Sequence, residues 1–238
     1  MEWQYCAVAL RAQTASFRNP DFQNFQKTFP LPPPTTVVGL AGAALGLSPQ
    51  AAQAYFEQTP FRLGVRGGAR GQARDLWKYR TLPGRSVITR ELLVDGWFQL
   101  VLGSPDHKLV GELAAALEAP VQALTLGQSD SLAKVVRVEL LHGETESERC
   151  TSALVEGDVL AQVLAQAKWG QGFSLTVRDS DPMAYQLPTR FQYKSAYGVR
   201  AVVQRRLFSF VGAAGVHLPT APLRGVHWGD EFIPTFDL

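Results

Sequence analysis

Residues 62–90 constrain this chain more than any other stretch. The run R-L-G-V-R-G-G-A-R-G-Q-A-R-D-L-W-K-Y-R-T-L-P-G-R-S-V-I-T-R carries eight basic side chains: Arg62, Arg66, Arg70, Arg74, Lys78, Arg80, Arg85 and Arg90. One acid, Asp75, opposes them, so the segment is +7. The other fifteen basic and twenty acidic residues leave the rest at −5, and the total of +2 hides the asymmetry. Five cations recur every four residues from Arg62 to Lys78, as on a helix stripe. Gly64, Gly67, Gly68 and Gly71 make a helix there costly. In an extended hairpin the even spacing puts all five on one face. The expectation is a protruding, partly mobile β-arm. Its charge and aromatics favour a polyanion, single-stranded RNA best of all.

The bulk numbers bound the rest. A chain of 238 residues, 46% hydrophobic and 18% charged, can bury a real core. Two cysteines, Cys6 and Cys150, form no CxxC and no disulfide framework, which fits a reducing cytoplasm. The four histidines lack metal spacing, so neither metal nor cofactor is expected. No basic segment precedes an apolar run, so no signal peptide is expected. The longest apolar stretch, Val37 to Leu47, is too short to span a bilayer, so no membrane role is expected.

Along the chain, Trp3 to Leu10 reads as a strand. After F-P-L-P-P-P, Thr35 or Thr36 can N-cap a helix with a small-residue face of Gly39, Gly42, Ala43 and Gly46. Ser48-Pro49 opens a second short helix to about Gln58. Two β-rich runs, Ser86 to Val94 and Trp97 to Leu102, flank Asp95-Gly96 and predict a hairpin turning there. A short amphipathic helix with Leu109, Leu113, Ala116 and Leu117 follows, stopped by Pro120. Val121 to Leu126 and Lys134 to Leu141 read as strands. With 62–90 set aside as an insertion, the order is βαββαβ, the split ferredoxin-like arrangement of an α+β fold. His142 to Arg149 reads as an acidic loop and a domain boundary. Beyond it, Gly157 to Lys168 looks helical, and Phe173 to Arg178, Thr189 to Lys194 and Val199 to Phe208 look like strands. Glycines and prolines break up the tail.

The run F-P-L-P-P-P-T-T-V-V-G-L-A-G-A-A-L-G, some twenty residues after a strand and S-F-R, resembles the Cas-five family of the RAMP superfamily of CRISPR-associated proteins. T-R-E-L-L-V-D at 89–95 and L-G-Q-S-D-S at 126–131 support it; the second is similar to the family's L-G-x-S loop. The match covers about residues 1–135. The resemblance implies a ferredoxin-like (RRM-type) domain with an inserted β-hairpin thumb, which maps to about 62–90; with the boundary read at 142, that domain is expected over 1–141 and a smaller β-rich α+β region over 142–238. The resemblance also implies a role capping one end of a type I Cascade; the chain is expected to be a non-catalytic subunit there, with type I-B as the candidate subtype. That subunit grips the 5′ handle of the CRISPR RNA. Its partners would be the backbone subunit, the large subunit and target DNA near the guide.

The candidate RNA-binding residues are Ser16, Phe17, Arg18, Thr35, Thr36, Arg66, Arg70, Arg74, Trp77, Lys78, Tyr79, Arg80, Arg90, Gln128 and Ser129. On the arm, cations would hold phosphates while a base stacks on Trp77 or Tyr79; Trp77 could instead anchor the arm to the body. Ser16, Phe17 and Arg18 sit in a loop at a sheet edge, where Phe17 could instead fill the core. Thr35 and Thr36 mark a helix N-terminus able to hold a phosphate. Gln128 and Ser129 lie on a polar turn whose amides and hydroxyls could read RNA. Two other readings compete. His107, beside Lys108, suits a metal-independent ribonuclease acting on CRISPR precursor RNA. The basic arm also suits an acidic protein partner.

Overall fold

The central strand, β1 (Gln4–Ala15), is apolar enough to be covered on both faces, and it has neighbours on both edges. The computed structural model describes residues 2–22, 25–81, 84–166, 182–194 and 199–238. Three short strands follow: β2 (Phe17–Arg18), β3 (Phe25–Gln26) and β4 (Thr28–Phe29). Helices α1 (Pro34–Ala44) and α2 (Pro49–Phe56) lead into two long strands, β5 (Arg62–Thr81) and β6 (Gly84–Ser104). Then come α3 (His107–Glu118), β7 (Lys134–His142), β8 (Thr145–Ser147), β9 (Arg149–Cys150), β10 (Leu154–Glu156) and α4 (Val159–Gln166). The last elements are β11 (Met183–Tyr193), β12 (Arg200–Phe210), β13 (Val216–His217), β14 (Leu223–Trp228) and β15 (Glu231–Asp237). The chain is thus a strand-rich α and β mixture.

One sheet dominates, in the order β7-β1-β6-β5-β15-β14-β8, antiparallel throughout, with β3 added in parallel beside Thr89 and Arg90. The sheet curls. Helices α1 and α3 cover one face over a core that includes Val8, Leu10, Phe98, Leu100 and Leu113. Strands β14 and β15 close over the other face, burying Tyr5, Val101, Val226 and Ile233 together. Gly64 permits this closure: a Cβ there would lie 2.8 Å from the Pro234 carbonyl oxygen. The tail rich in glycine and proline is therefore not irregular. It supplies β14 and β15, and β15 pairs directly with β5.

Helix boundaries follow local chemistry. In α3, the Asp106 side chain accepts from the amides of Lys108 and Leu109. That helix buries Val110, Leu113 and Leu117 at helical spacing. In α2, the Ser48 hydroxyl accepts from the Ala51 amide. Helix α1 differs from expectation: Pro33 is its N-cap, with no side-chain cap, and Thr35 and Thr36 lie inside the first turn. Pro34, preset for helical φ at the first position, moves the start upstream.

Two expected elements are absent. Val121 to Leu126 forms no strand; the amides of Val121 and Gln122 instead donate to the carbonyls of Ala44 and Ala43. They satisfy acceptors that the end of α1 leaves open. Nor does the chain turn at Asp95-Gly96. Strand β6 runs straight through it, paired with β5 from Arg62↔Gly103 to Thr81↔Gly84. The thumb is therefore not an insertion ahead of a separate hairpin; it is the far half of one long hairpin. The expected strand Phe173 to Arg178 lies outside the described residues.

The Asp-Gly pair has another effect. Asp95 takes a left-handed conformation, φ 53°. Phe98 and Leu93 are an odd number of residues apart, yet both enter the same core, as do Ala12 and Ala15 on the facing strand. Strict alternation forbids this, so the side-chain phase switches at Asp95. Arg62 and Arg66 consequently lie on the face opposite that core, whereas Arg74 and Lys78 share the face of Leu93. The five evenly spaced cations do not form one stripe.

Candidate nucleic-acid interface

The cations of the hairpin whose side chains are described fall into two groups. Those in the first group are consumed by the fold. Arg62 pairs with Glu144 and with Asp237 at 3.0 Å, and lies 3.8 Å over the Trp3 ring. Burial pushes the Asp237 carboxyl up, but Arg62 and Arg224 outweigh it and hold the group below its ordinary value. Arg66 is buried, 2.6 Å from Glu231, with a second bond to Gln99 at 2.9 Å and the Trp97 ring 5.1 Å away. Arg90 is buried between Asp75 and Asp130, each at 2.8 Å, donates to Gln128, and sits 5.5 Å over the Trp77 ring. Burial opposes its charge, yet the two carboxylates raise its pKa.

The second group faces solvent. Arg70 is 84% exposed and meets Asp95 only at 3.4 Å. Arg74 is exposed, 5.6 Å over the Phe25 ring. Lys78 is exposed and forms no ion pair among the described residues. Past Leu93, β6 has left β1 behind, and among the described residues β3 is the strand that pairs with this far half. Leu76 and Val87 there are 71% and 59% exposed. Trp77 is partly exposed and engaged by Arg90. The side chains of Tyr79 and Arg80 lie outside what is described, although their backbones pair with Ser86 and Arg85.

The remaining sequence candidates divide the same way. Ser16 is buried; its hydroxyl donates to the Glu91 carbonyl at 2.9 Å and its amide to the Leu126 carbonyl. Phe17 is core, its ring edge-on to Phe98 at 5.4 Å. Their neighbour Arg18 is exposed. Gln128 is held between Arg90 and Gln26, while Ser129 is exposed. The hairpin, the 16–18 segment and the 126–131 loop thus converge around Arg90 and Glu91. Thr35 and Thr36 do not join them: Thr35 lines a separate groove between the helices and β11. Charge counting missed the acids that consume the arginines, namely Glu231, Asp130 and Glu144. These are distant in sequence and carry no local signal.

His107 opens α3, its Nε2 3.1 Å from the Glu2 carbonyl and its ring 6.5 Å from that of His142. Lys108 leans toward Glu112. Both cysteine thiols are buried and pushed up to about 12, chiefly by burial. Among the described residues no cluster of metal-ligating side chains is found, and no helix is long and apolar enough to cross a membrane.

A family model described as CRISPR-associated protein (Cas_Cas5) matches residues 6–203. A CRISPR protein from Archaeoglobus fulgidus is similar in structure over 97% of this chain and 98% of its own, at 12% identity and a TM-score of 0.50. A chain of a CRISPR RNA-guided surveillance complex matches over 90% of this chain and 91% of its own, at 15% identity and a TM-score of 0.46. The crystal structure of a Cas protein shares 25% identity over 52% of this chain, which spans 57% of that one, at a TM-score of 0.36. No curated protein matches.

Proposed function

Because this chain belongs to the CRISPR-associated Cas_Cas5 family, we propose that it is a non-catalytic subunit of a type I Cascade that grips CRISPR RNA near its 5′ handle. The observation that carries this reading is the far half of the β5–β6 hairpin. There Arg70, Arg74 and Lys78 stay exposed, with Asp75 and Asp130 engaged by Arg90 and only a 3.4 Å contact between Arg70 and Asp95. Exposed cations on a narrow two-stranded arm can follow a phosphate backbone, and Leu76, Val87 and Trp77 offer surface against which bases stack. Arg18 and Ser129, on the two segments beside the arm, extend the same surface.

The core is read as a ferredoxin-like unit. In support, β7-β1-β6-β5 takes the order fourth-first-third-second, all antiparallel, with α1 and α3 on the crossovers. The backbone and large subunits of the effector, and target DNA near the guide, are the proposed partners. A ribonuclease reading would rest on His107, whose ring nitrogen is 3.1 Å from the Glu2 carbonyl and whose neighbour Lys108 leans toward Glu112; cleavage of repeat RNA by the pure protein, abolished by His107→Ala, would favour it. The test is fluorescence anisotropy with labelled repeat-derived RNA. Replacing Arg70, Arg74 and Lys78 by Ala should weaken binding and lower the salt slope by about 2. Unchanged affinity and slope would sink the reading.

A further inference from the structure

We propose that the hairpin of β11 and β12 is a second binding surface for single-stranded nucleic acid, separate from the β5–β6 arm. From Pro182 to Gly229 the chain contains no acid and six basic residues, five of them on or beside this hairpin: Arg190, Lys194, Arg200, Arg205 and Arg206. The hairpin belongs to a different sheet, in the order β10-β12-β11. Two of the five are taken up by the fold. Arg190 pairs with Glu57 at 2.9 Å, and Arg206 pairs with Glu156 and donates to the Asp237 carbonyl. Lys194, Arg200 and Arg205 are exposed and form no ion pair among the described residues.

The site has a stacking element as well as charge. Arg200 lies 4.3 Å over the Phe191 ring, and Phe191 is 6.2 Å from the ring of Tyr193, the residue that pairs with Arg200 across the hairpin. This surface, a guanidinium over one ring and a second ring edge-on to it, borders a groove of about 760 Å³ between β11–β12 and helices α1 and α2. Gln53 pins the groove wall through two bonds to the Phe191 backbone. The groove's two acids, Glu57 and Asp237, are already paired with arginines. The buried Thr189 hydroxyl in its lining has no hydrogen-bond partner among the described residues. Unneutralised cations beside an arginine–aromatic stack fit an unpaired strand, whose bases expose π faces and whose phosphates sit a few ångströms away. An acidic protein would satisfy the cations but leave the arginine-capped aromatic pair without a purpose.

The test uses the full chain and labelled oligo(U), oligo(dT) and a DNA duplex. A Lys194→Ala, Arg200→Ala, Arg205→Ala variant is compared with the arm variant in Arg70, Arg74 and Lys78. The hairpin variant should bind the single strands roughly 10- to 100-fold more weakly at 0.1 M salt, with a salt slope reduced by about 2. It should do so whether or not the arm is also altered, which separates this surface from the reading above. In the wild-type chain, RNA containing 4-thiouridine should cross-link to peptides within 183–194 and 199–206. Overturning results are unchanged affinity and slope for every probe, a loss confined to the duplex, or cross-links confined to the arm. An acidic polypeptide that binds this hairpin and is not displaced by oligo(U) also overturns it.

Discussion

The base and the far half of the β5–β6 hairpin carry the same arginine-every-fourth-residue pattern and use it in opposite ways. At the base, Arg62 and Arg66 meet carboxylates delivered by β15 and the β7–β8 connection, and they become fasteners. Farther out, β15 and β1 have both parted from the hairpin, the phase has switched at Asp95, and Arg74 and Lys78 form no ion pair among the described residues. Arg90 interrupts the far half as a third fastener, joining the arm to the 126–131 loop. The lesson is that charge density along a sequence overstates binding capacity. What counts is whether the fold brings an acid back.

Removing a fastener is the largest expected perturbation. Arg90→Ala should cost about 2–3 kcal/mol of stability, since Asp75 and Asp130 lose a shared buried partner; Arg66→Ala should cost somewhat less. Urea denaturation measures both, and a cost below 0.5 kcal/mol, the usual surface-substitution range, would erase the contrast. The exposed trio should behave in the reverse way. Alanines at Arg70, Arg74 and Lys78 should move stability by less than about 0.5 kcal/mol while weakening RNA binding. A large shift in melting temperature for that variant would show these residues to be fasteners too.

Next in size is the phase switch. Asp95→Val puts a β-branched side chain at positive φ and should cost about 1–2 kcal/mol. A neutral result would mean that the strand alternates without a break. The smallest effect concerns pH. Asp237 has a lowered pKa in the folded chain, so its contribution is present above its ordinary value and is lost as pH falls through the folded one. Asp237→Asn should flatten the acid limb of the stability profile, and a curve parallel to wild type would remove this carboxylate from the base of the hairpin.

Local chemistry was legible beforehand where it is decided locally. The Ser48 cap, the spacing of Leu109, Leu113 and Leu117, and the early strand can be read from neighbours in sequence. Asp95-Gly96 misled because a turn signal states only that a residue tolerates positive φ; whether the chain reverses depends on a pairing partner some thirty residues upstream. The site was half legible for the same reason. Arg70, Arg74 and Lys78 read correctly as exposed charge, but Ser16, Phe17, Arg66 and Arg90 are held by groups elsewhere in the chain. The basic β11–β12 hairpin had a readable signal, an acid-free run of forty-eight residues from 182 to 229, that the density of the first segment overshadowed.

The pairing of β15 with β5 has a consequence for biogenesis. During synthesis, β5 leaves the ribosome long before residues 231–237 exist. At about 5–20 residues per second the wait is roughly 10–30 s. Throughout it, the outer edge of β5 offers unpaired amides and carbonyls beside an apolar surface, a template for mispairing with any neighbouring chain. The yield of correctly folded protein should therefore depend on translation speed and chaperone supply more than on the strength of the finished sheet.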